Sequence, residues 1–386
     1  MKTNTSGILT AFVITLFAGC VQKGTDLPFI IPRHDKESLS GTVVRALCYF
    51  DVDRYNPLNA LDYTLSDGSG FFDFVALGSA ELKKDGRWVY IDIPPALKYV
   101  LENRYTYVLP FQRRGIKVLL GITGGKDGVS FGSITKDDTD FLAVCVKDIV
   151  EQYGLDGVEI YDAGGAKSPS VGNFPYPEGI FTDENGRETP VDHFPGDPDG
   201  KLEAWRNGGD MMNNFIWRLR KHLGDWDDFP IIVREENHGR YLPAWVSGAD
   251  FTGRNDQLNY TVNPDFAIFG KSYNTALYHN MYAPLAINLD GDAAAGAVVP
   301  PLTETGGIFD FSRRFAETGD YPLIYCRNLK PVSQASGEPY LDVPPEAQAL
   351  AGGKTRLTQA EYLSITARAV FGKDVICGGG DNRVNW

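Results

Sequence analysis

From residue 41 to the C-terminus, short apolar runs alternate with amphipathic stretches. The runs Val43–Asp51, Phe72–Gly78, Ile116–Ile122, Leu155–Ala163, Pro230–Glu235, Asp265–Gly270, Ala283–Leu289 and Tyr321–Arg327 read as strands. Helical periodicity fills most of the gaps between them. Thr135–Tyr153 places Phe141, Leu142, Cys145, Val146, Ile149 and Val150 on one face after an acidic start. Trp205–Leu223 and Leu357–Phe371 behave similarly, and Thr358 with Glu361 forms a capping-box pattern. Eight strand–helix units in about 345 residues predict an α/β fold, a single (β/α)8 barrel. The competing arrangement, an open doubly wound sheet, is disfavoured because no GxGxxG follows a strand.

The longest insertion follows the fourth strand. Gly164–Asp210 is rich in Gly, Pro, Asp and aromatic residues and has no clear periodicity. In a barrel this loop belongs to the C-terminal face, where active sites are built. Its Phe174, Tyr176, Phe181 and Phe194 suit either a sugar-stacking wall or packing of the loop onto the barrel.

The first residues follow a different rule. Lys2, the apolar run Ile8–Ala18, then Gly19 and Cys20 form a signal-peptide pattern too short to span a bilayer as a helix. Small residues directly before a cysteine make it a bacterial lipoprotein signal. The expected organisation is a signal peptide over 1–19, a lipid-anchored linker over 20–40 starting at Cys20, and the barrel over 41–386. The expected location is the cell envelope, on a lipid in the outer membrane.

Composition narrows the chemistry. The chain carries 37 Lys+Arg against 50 Asp+Glu, a formal charge of −13, with no basic block, which excludes a nucleic-acid partner. Cys48, Cys145, Cys326 and Cys377 form no metal-ligand spacing, and Cys48, Cys145 and Cys326 sit in apolar surroundings that suit buried thiols. The five histidines are scattered. No metal and no cofactor is expected.

The fourth run reads YGLDGVEIYDAGG after a helix. It resembles the fourth strand of glycoside hydrolase family 18, in particular the lipid-anchored endo-β-N-acetylglucosaminidases of glycan-foraging bacteria. VVRALCYFDVDRYNPLNALDYTL with FFDFVALGSAEL is similar to their first two strands, YVLPFQRRGIKVLLGITGGKDG to their third, and GGGDNRVNW to their C-terminus. The resemblance covers roughly residues 41–386 and implies the barrel.

For catalysis it implies something less. The family motif is D-G-x-D-x-D-x-E. Asp156 and Gly157 match, but Glu159 replaces the second aspartate, Tyr161 the third, and Ala163 stands where the catalytic glutamate belongs. Such enzymes use the substrate's own acetamido oxygen as nucleophile, an exception to the two-carboxylate scheme. The aspartate stabilises that acetamide, and the glutamate protonates the leaving oxygen. Tyrosine can hydrogen-bond an acetamide without offering an anion, and alanine has no proton to give. If positions 161 and 163 face the pocket, Glu159 also points inward, but ~13 Å deeper than position 163 at ~3.3 Å per residue. Asp162 would need a bulge to reach the pocket. Glu235 and Glu236 are acidic candidates at the rim.

Loss of the acid need not remove sugar affinity. Tyr161 is placed at the pocket centre by its motif position. Tyr49, Asp51, Asn237, His238, Tyr273, Asn274, Asn288, Tyr325, Arg327 and Asn328 stand at strand ends, and Gly124, Gly125 and Asp127 in the loop after the third strand. Asparagine offers both a donor and an acceptor to hydroxyl and acetamido groups. The expectation is a non-catalytic glycan-binding lipoprotein that recognises N-acetylglucosamine-containing glycans, beside neighbouring uptake proteins. Hydrolysis by a displaced acid and an envelope scaffold without sugar binding are the alternatives.

Overall fold

Parallel strands joined by helices are covered on both faces, which is why these runs carry so few polar positions. The structure, a computed structural model, describes residues 36, 37, 39, 41, 43–125, 129–162, 180–182, 188–190, 215, 216, 218–224, 229–234, 260–262, 282, 283, 285–288, 323–337, 339, 341, 342, 348, 351–380 and 382–386. Six successive strands are β1 (Arg45–Asp51), β2 (Phe74–Asp85), β3 (Lys117–Gly124), β4 (Gly157–Asp162), β5 (Ile231–Arg234) and β6 (Tyr260–Val262). A seventh, β7, comprises Tyr282–Ala283 and Leu285–Asn288, and β8 is Leu323–Arg327.

Each strand pairs in parallel with the next, from β1 to β6. The first piece of β7 pairs with β6 and its second piece with β8, and β8 pairs back with β1. The ladder thus runs from Leu285–Asn288 through β8 and β1 to β6 and Tyr282–Ala283, the curled parallel sheet of a (β/α)8 barrel.

Seven strands lie where the apolar runs place them. The expected sixth, Asp265–Gly270, falls outside the described residues, and the strand beside β5 is the shorter Tyr260–Val262. Three aromatic and β-branched residues between Asn259 and Asn263 suffice because both neighbouring strands supply the ladder.

Three helices of the outer layer are α1 (Pro95–Glu102), α2 (Lys136–Tyr153) and α3 (Gln359–Phe371). Thr358 and Glu361 form the expected capping box, and Thr135 with Asp138 forms a second one at the start of α2. Residues 215, 216 and 218–223, within the expected Trp205–Leu223 helix, are helical.

Alternation along each strand divides the buried side chains into two sets. Cys48, Phe50, Val75, Leu77, Val118, Leu120, Val158, Ile160 and Cys326 face outward and meet Leu142, Val146, Leu363 and Val370 of the helices. Leu47, Tyr49, Phe74, Ala76, Leu119, Ile232, Leu323 and Tyr325 fill the barrel.

At the base, Lys36 is buried and pairs with Asp73 at 2.7 Å, while Asp73 also accepts from the Ala46 N–H at 2.8 Å. Packing thus begins inside the stretch expected to be a linker. The chain ends on the helical layer, where Trp386 stacks on Tyr99 and donates from Nε1 to the Val52 carbonyl at 3.1 Å. Among the described residues no helix is long and apolar enough to cross a membrane.

Candidate functional site

β4 carries the motif, and its two ends do different things. Asp156, just before the strand, accepts from the Val118 N–H at 2.7 Å and from Gln112 Nε2 at 3.0 Å. Burial pushes its carboxyl above the ordinary carboxylate range, against the pull of those two donors and of nearby Lys117 and Arg104. It ties the start of β3 to β4 at the base of the barrel and has no path to a substrate at the mouth.

One layer up, Glu159 is fully buried inside the barrel, and its Oε1 accepts from the Tyr325 hydroxyl at 3.2 Å. Tyr325 itself is 1% exposed, so this pair belongs to the packed interior. Tyr161 is two residues nearer the mouth and half-buried, in register with Thr123 on β3 and Arg234 on β5. Parallel partners in register point to the same side, so Tyr161 shares its face of the upper barrel with Thr123. Ala163 lies outside the described residues.

The row extends further than the sequence reading anticipated. Thr123 is in register with Glu81 of β2, giving the row Glu81, Thr123, Tyr161 across three consecutive strands. Glu81 reaches this position because the register between β2 and β3 shifts between Leu77 and Ala80. Simple alternation from Phe74 and Ala76 would have turned residue 81 outward. The adjacent Gly78 and Ser79 are the local hint of that irregularity.

Tyr49 lies deeper than expected for a ligand contact. It is 4% exposed, and its ring lies so close to Gly78 that a Cβ there would come within 2.0 Å of the hydroxyl oxygen. The Arg327 guanidinium is 5.6 Å from the ring centroid, within cation–π range. Asn328 adopts a left-handed backbone with φ of 59° and is buried. Its Oδ1 accepts from the Asp51 N–H at 3.1 Å, and its own N–H donates to the Tyr49 carbonyl at 2.8 Å. These contacts join the ends of β1 and β8, so Asn328 holds the rim together. Asp51 is half-buried at that rim, and Asn288 ends β7 in register with Arg327.

Cys20, Asp127, Asn237, His238, Tyr273, Asn274, Glu235, Glu236 and most of the Gly164–Asp210 loop lie outside the described residues. Cys48 and Cys326 are buried free thiols in register on β1 and β8, and burial pushes both well above the ordinary thiol range. They offer no thiolate for nucleophilic work. Among the described residues no group of His, Cys, Asp or Glu is arranged to hold a metal ion.

No protein-family model matches the chain. It is 30% identical over 156 residues to endo-beta-N-acetylglucosaminidase F1 of Elizabethkingia meningoseptica, covering 39% of this chain and 44% of that protein. It is 28% identical over 118 residues to an endo-beta-N-acetylglucosaminidase of a Flavobacterium species, covering 30% of this chain and 38% of that one. The chain thus spans less than half the length of these curated relatives. Among solved structures, EndoBT-3987 of Bacteroides thetaiotamicron in complex with a Man9GlcNAc2Asn substrate superposes with a TM-score of 0.55 at 18% identity. That match covers 89% of this chain and 69% of the other.

The likeness to that solved structure shows the (β/α)8 barrel fold. Over part of its length the chain is similar in sequence to these endo-beta-N-acetylglucosaminidases.

Proposed function

We propose that the chain is a lipid-anchored glycan-binding protein that recognises N-acetylglucosamine-containing glycans, N-glycan cores in particular, and does not cleave them. The observation that carries this reading is the inward edge of β4. Its successive positions are Gly157, Glu159 and Tyr161, and in the sequence Tyr161 and Ala163 stand where a substrate-assisted glycosidase needs an aspartate and a glutamate. Tyr161 can hold an acetamide by hydrogen bonding. It supplies no anion for a developing oxazolinium charge, and alanine supplies no proton. Glu159 is sealed beneath Tyr161 and engaged by Tyr325. The likeness to endo-β-N-acetylglucosaminidases supports the ligand class. Cys20 would carry the lipid, and the barrel would present glycans to neighbouring uptake proteins of the envelope.

One observation favours the alternative of hydrolysis by a displaced acid. Glu81 stands in the Tyr161 row, two strands away, or ~10 Å at the usual ~4.8 Å strand spacing. It is ion-paired with Lys83 at 3.2 Å, the state of a hydrogen-bond acceptor rather than a proton donor.

Incubating the full-length protein with a high-mannose N-glycoprotein separates the readings. The expected result is binding by calorimetry with no released glycan. Turnover that disappears in Glu81→Gln would establish the displaced acid. Absence of any glycan binding at millimolar concentration would leave the scaffold reading. Cys20→Ala should move the protein out of the membrane fraction.

A further inference from the structure

β2 does not stop at the barrel rim. Beyond the register shift, Ala80 and Leu82 turn outward and are buried, while Glu81 pairs with Thr123 on the interior side. Glu81, Lys83 and Asp85 therefore continue the barrel's inner face upward. This extension pairs antiparallel with Trp88–Asp92, with Glu81 opposite Asp92, Lys83 opposite Tyr90 and Asp85 opposite Trp88.

Directly opposed residues share a face of the sheet. Tyr90 and Trp88 thus stand on the face that continues the barrel interior, and they are 40% and 62% exposed. The opposite face, with Leu82, Val89 and Ile91, packs into the outer core, where the Trp88–Asp92 strand meets α2. The hairpin is anchored from behind and open toward the mouth.

Its open face is not simply apolar. Lys83 Nζ lies 3.2 Å from both Glu81 Oε2 and Asp92 Oδ2, between the barrel row and the aromatic pair. The Arg87 guanidinium sits 4.6 Å from a Trp88 ring centroid. An apolar partner laid over this surface would desolvate these charges at a cost. A pyranose ring offers what the face can use: a C–H face for an aromatic ring and a rim of hydroxyls for carboxylates and ammonium.

We propose that this hairpin face is a carbohydrate-binding wall, with Tyr90 and Trp88 stacking successive sugar rings of a glycan that leaves the barrel mouth. The wall rests on the glycan-binding reading and extends it from the motif strand to the outer chain. Tyr90 stands two residues and Trp88 four residues above the Glu81–Tyr161 row, ~7 and ~13 Å at ~3.3 Å per residue. Such heights serve the arms of a branched glycan and miss a disaccharide bound at the centre.

Calorimetric titration of the full-length protein with two probes, a high-mannose N-glycan and N,N′-diacetylchitobiose, tests this. Trp88→Ala with Tyr90→Ala should weaken the high-mannose glycan about tenfold or more while leaving the disaccharide and the melting temperature unchanged. If the double variant misfolds, Trp88→Ala alone, at an exposed position, carries the same test. Wild-type affinity for both probes would overturn the wall and leave the glycan-binding reading intact. Equal loss on both probes would place the aromatics at the centre and overturn the wall as stated. A wild-type protein that binds neither probe would overturn both proposals.

Discussion

The base and the mouth of β4 are built from one short motif, yet they obey different constraints. At the base, Asp156 is held by a backbone N–H and an amide, and Gly157 lies where a Cβ would come within 2.3 Å of the Pro230 carbonyl oxygen. At the mouth, Tyr161 stands half-buried in a row with Thr123 and Glu81. Asp156 and Gly157 keep the first two positions of the motif that the fourth strand resembles, while Tyr161 and Ala163 stand where that motif has an aspartate and a glutamate. The first half of D-G-x-D-x-D-x-E is therefore a folding device, separable from the chemistry of the second half.

Substitution at each end sharpens or breaks that separation. Asp156→Ala removes the acceptor from the Val118 N–H and the Gln112 amide at once, and should cost about 3 kcal/mol of stability. Tyr161→Ala should cost about 1 kcal/mol or less, because its site is half-buried, and should abolish measurable glycan binding. Urea denaturation and calorimetry on both variants give a crossed pattern if the separation holds. A neutral Asp156→Ala, or a Tyr161→Ala that binds normally, would break it.

Gly157→Ala is the next largest effect at the base. The added methyl meets backbone rather than a flexible side-chain end, so β5 must move away from β4. Overpacking of this kind should cost about 2 kcal/mol, read as a lower urea midpoint at unchanged slope.

How far the sequence could be read follows the same division. Hydrophobic alternation reports whether a residue points in or out, and this located seven strands and, once the motif placed Tyr161 in the pocket, turned Glu159 inward as well; the Thr358–Glu361 capping box was legible from its own spacing. It does not report height, because the level of one strand against the next is set by register around the barrel. Tyr49, Tyr325 and Asn328 were thus expected among the glycan contacts, whereas two of them fill the interior and the third ties β1 to β8. The same limit hid Glu81, whose inward aim depends on a shift between Leu77 and Ala80 that no alternation contains. The sixth strand escaped for a simpler reason: three residues make too short a pattern to stand out from the loops around it.

The smallest effect concerns the charge that the base retains. Burial raises the native pKa of Asp156 above its value in the unfolded chain. Between those two values the native state binds more protons than the unfolded state, so stability falls as pH rises through that interval. Below the unfolded value both states are protonated, and above the native value both are ionised, so the contribution is flat on either side. Asp156→Asn keeps an oxygen for the Val118 N–H and has no proton to lose. Its stability relative to the wild type should therefore rise with pH across that interval and level off above it, a change on the order of 1 kcal/mol for a shift of one unit. Urea midpoints of the two proteins, taken in steps upward from the ordinary carboxylate range, measure the difference directly. A difference that instead falls with pH would mean that the hydrogen bonds to Asp156 outweigh its burial. The base would then depend on the ionised carboxylate itself, rather than on an acceptor of that shape.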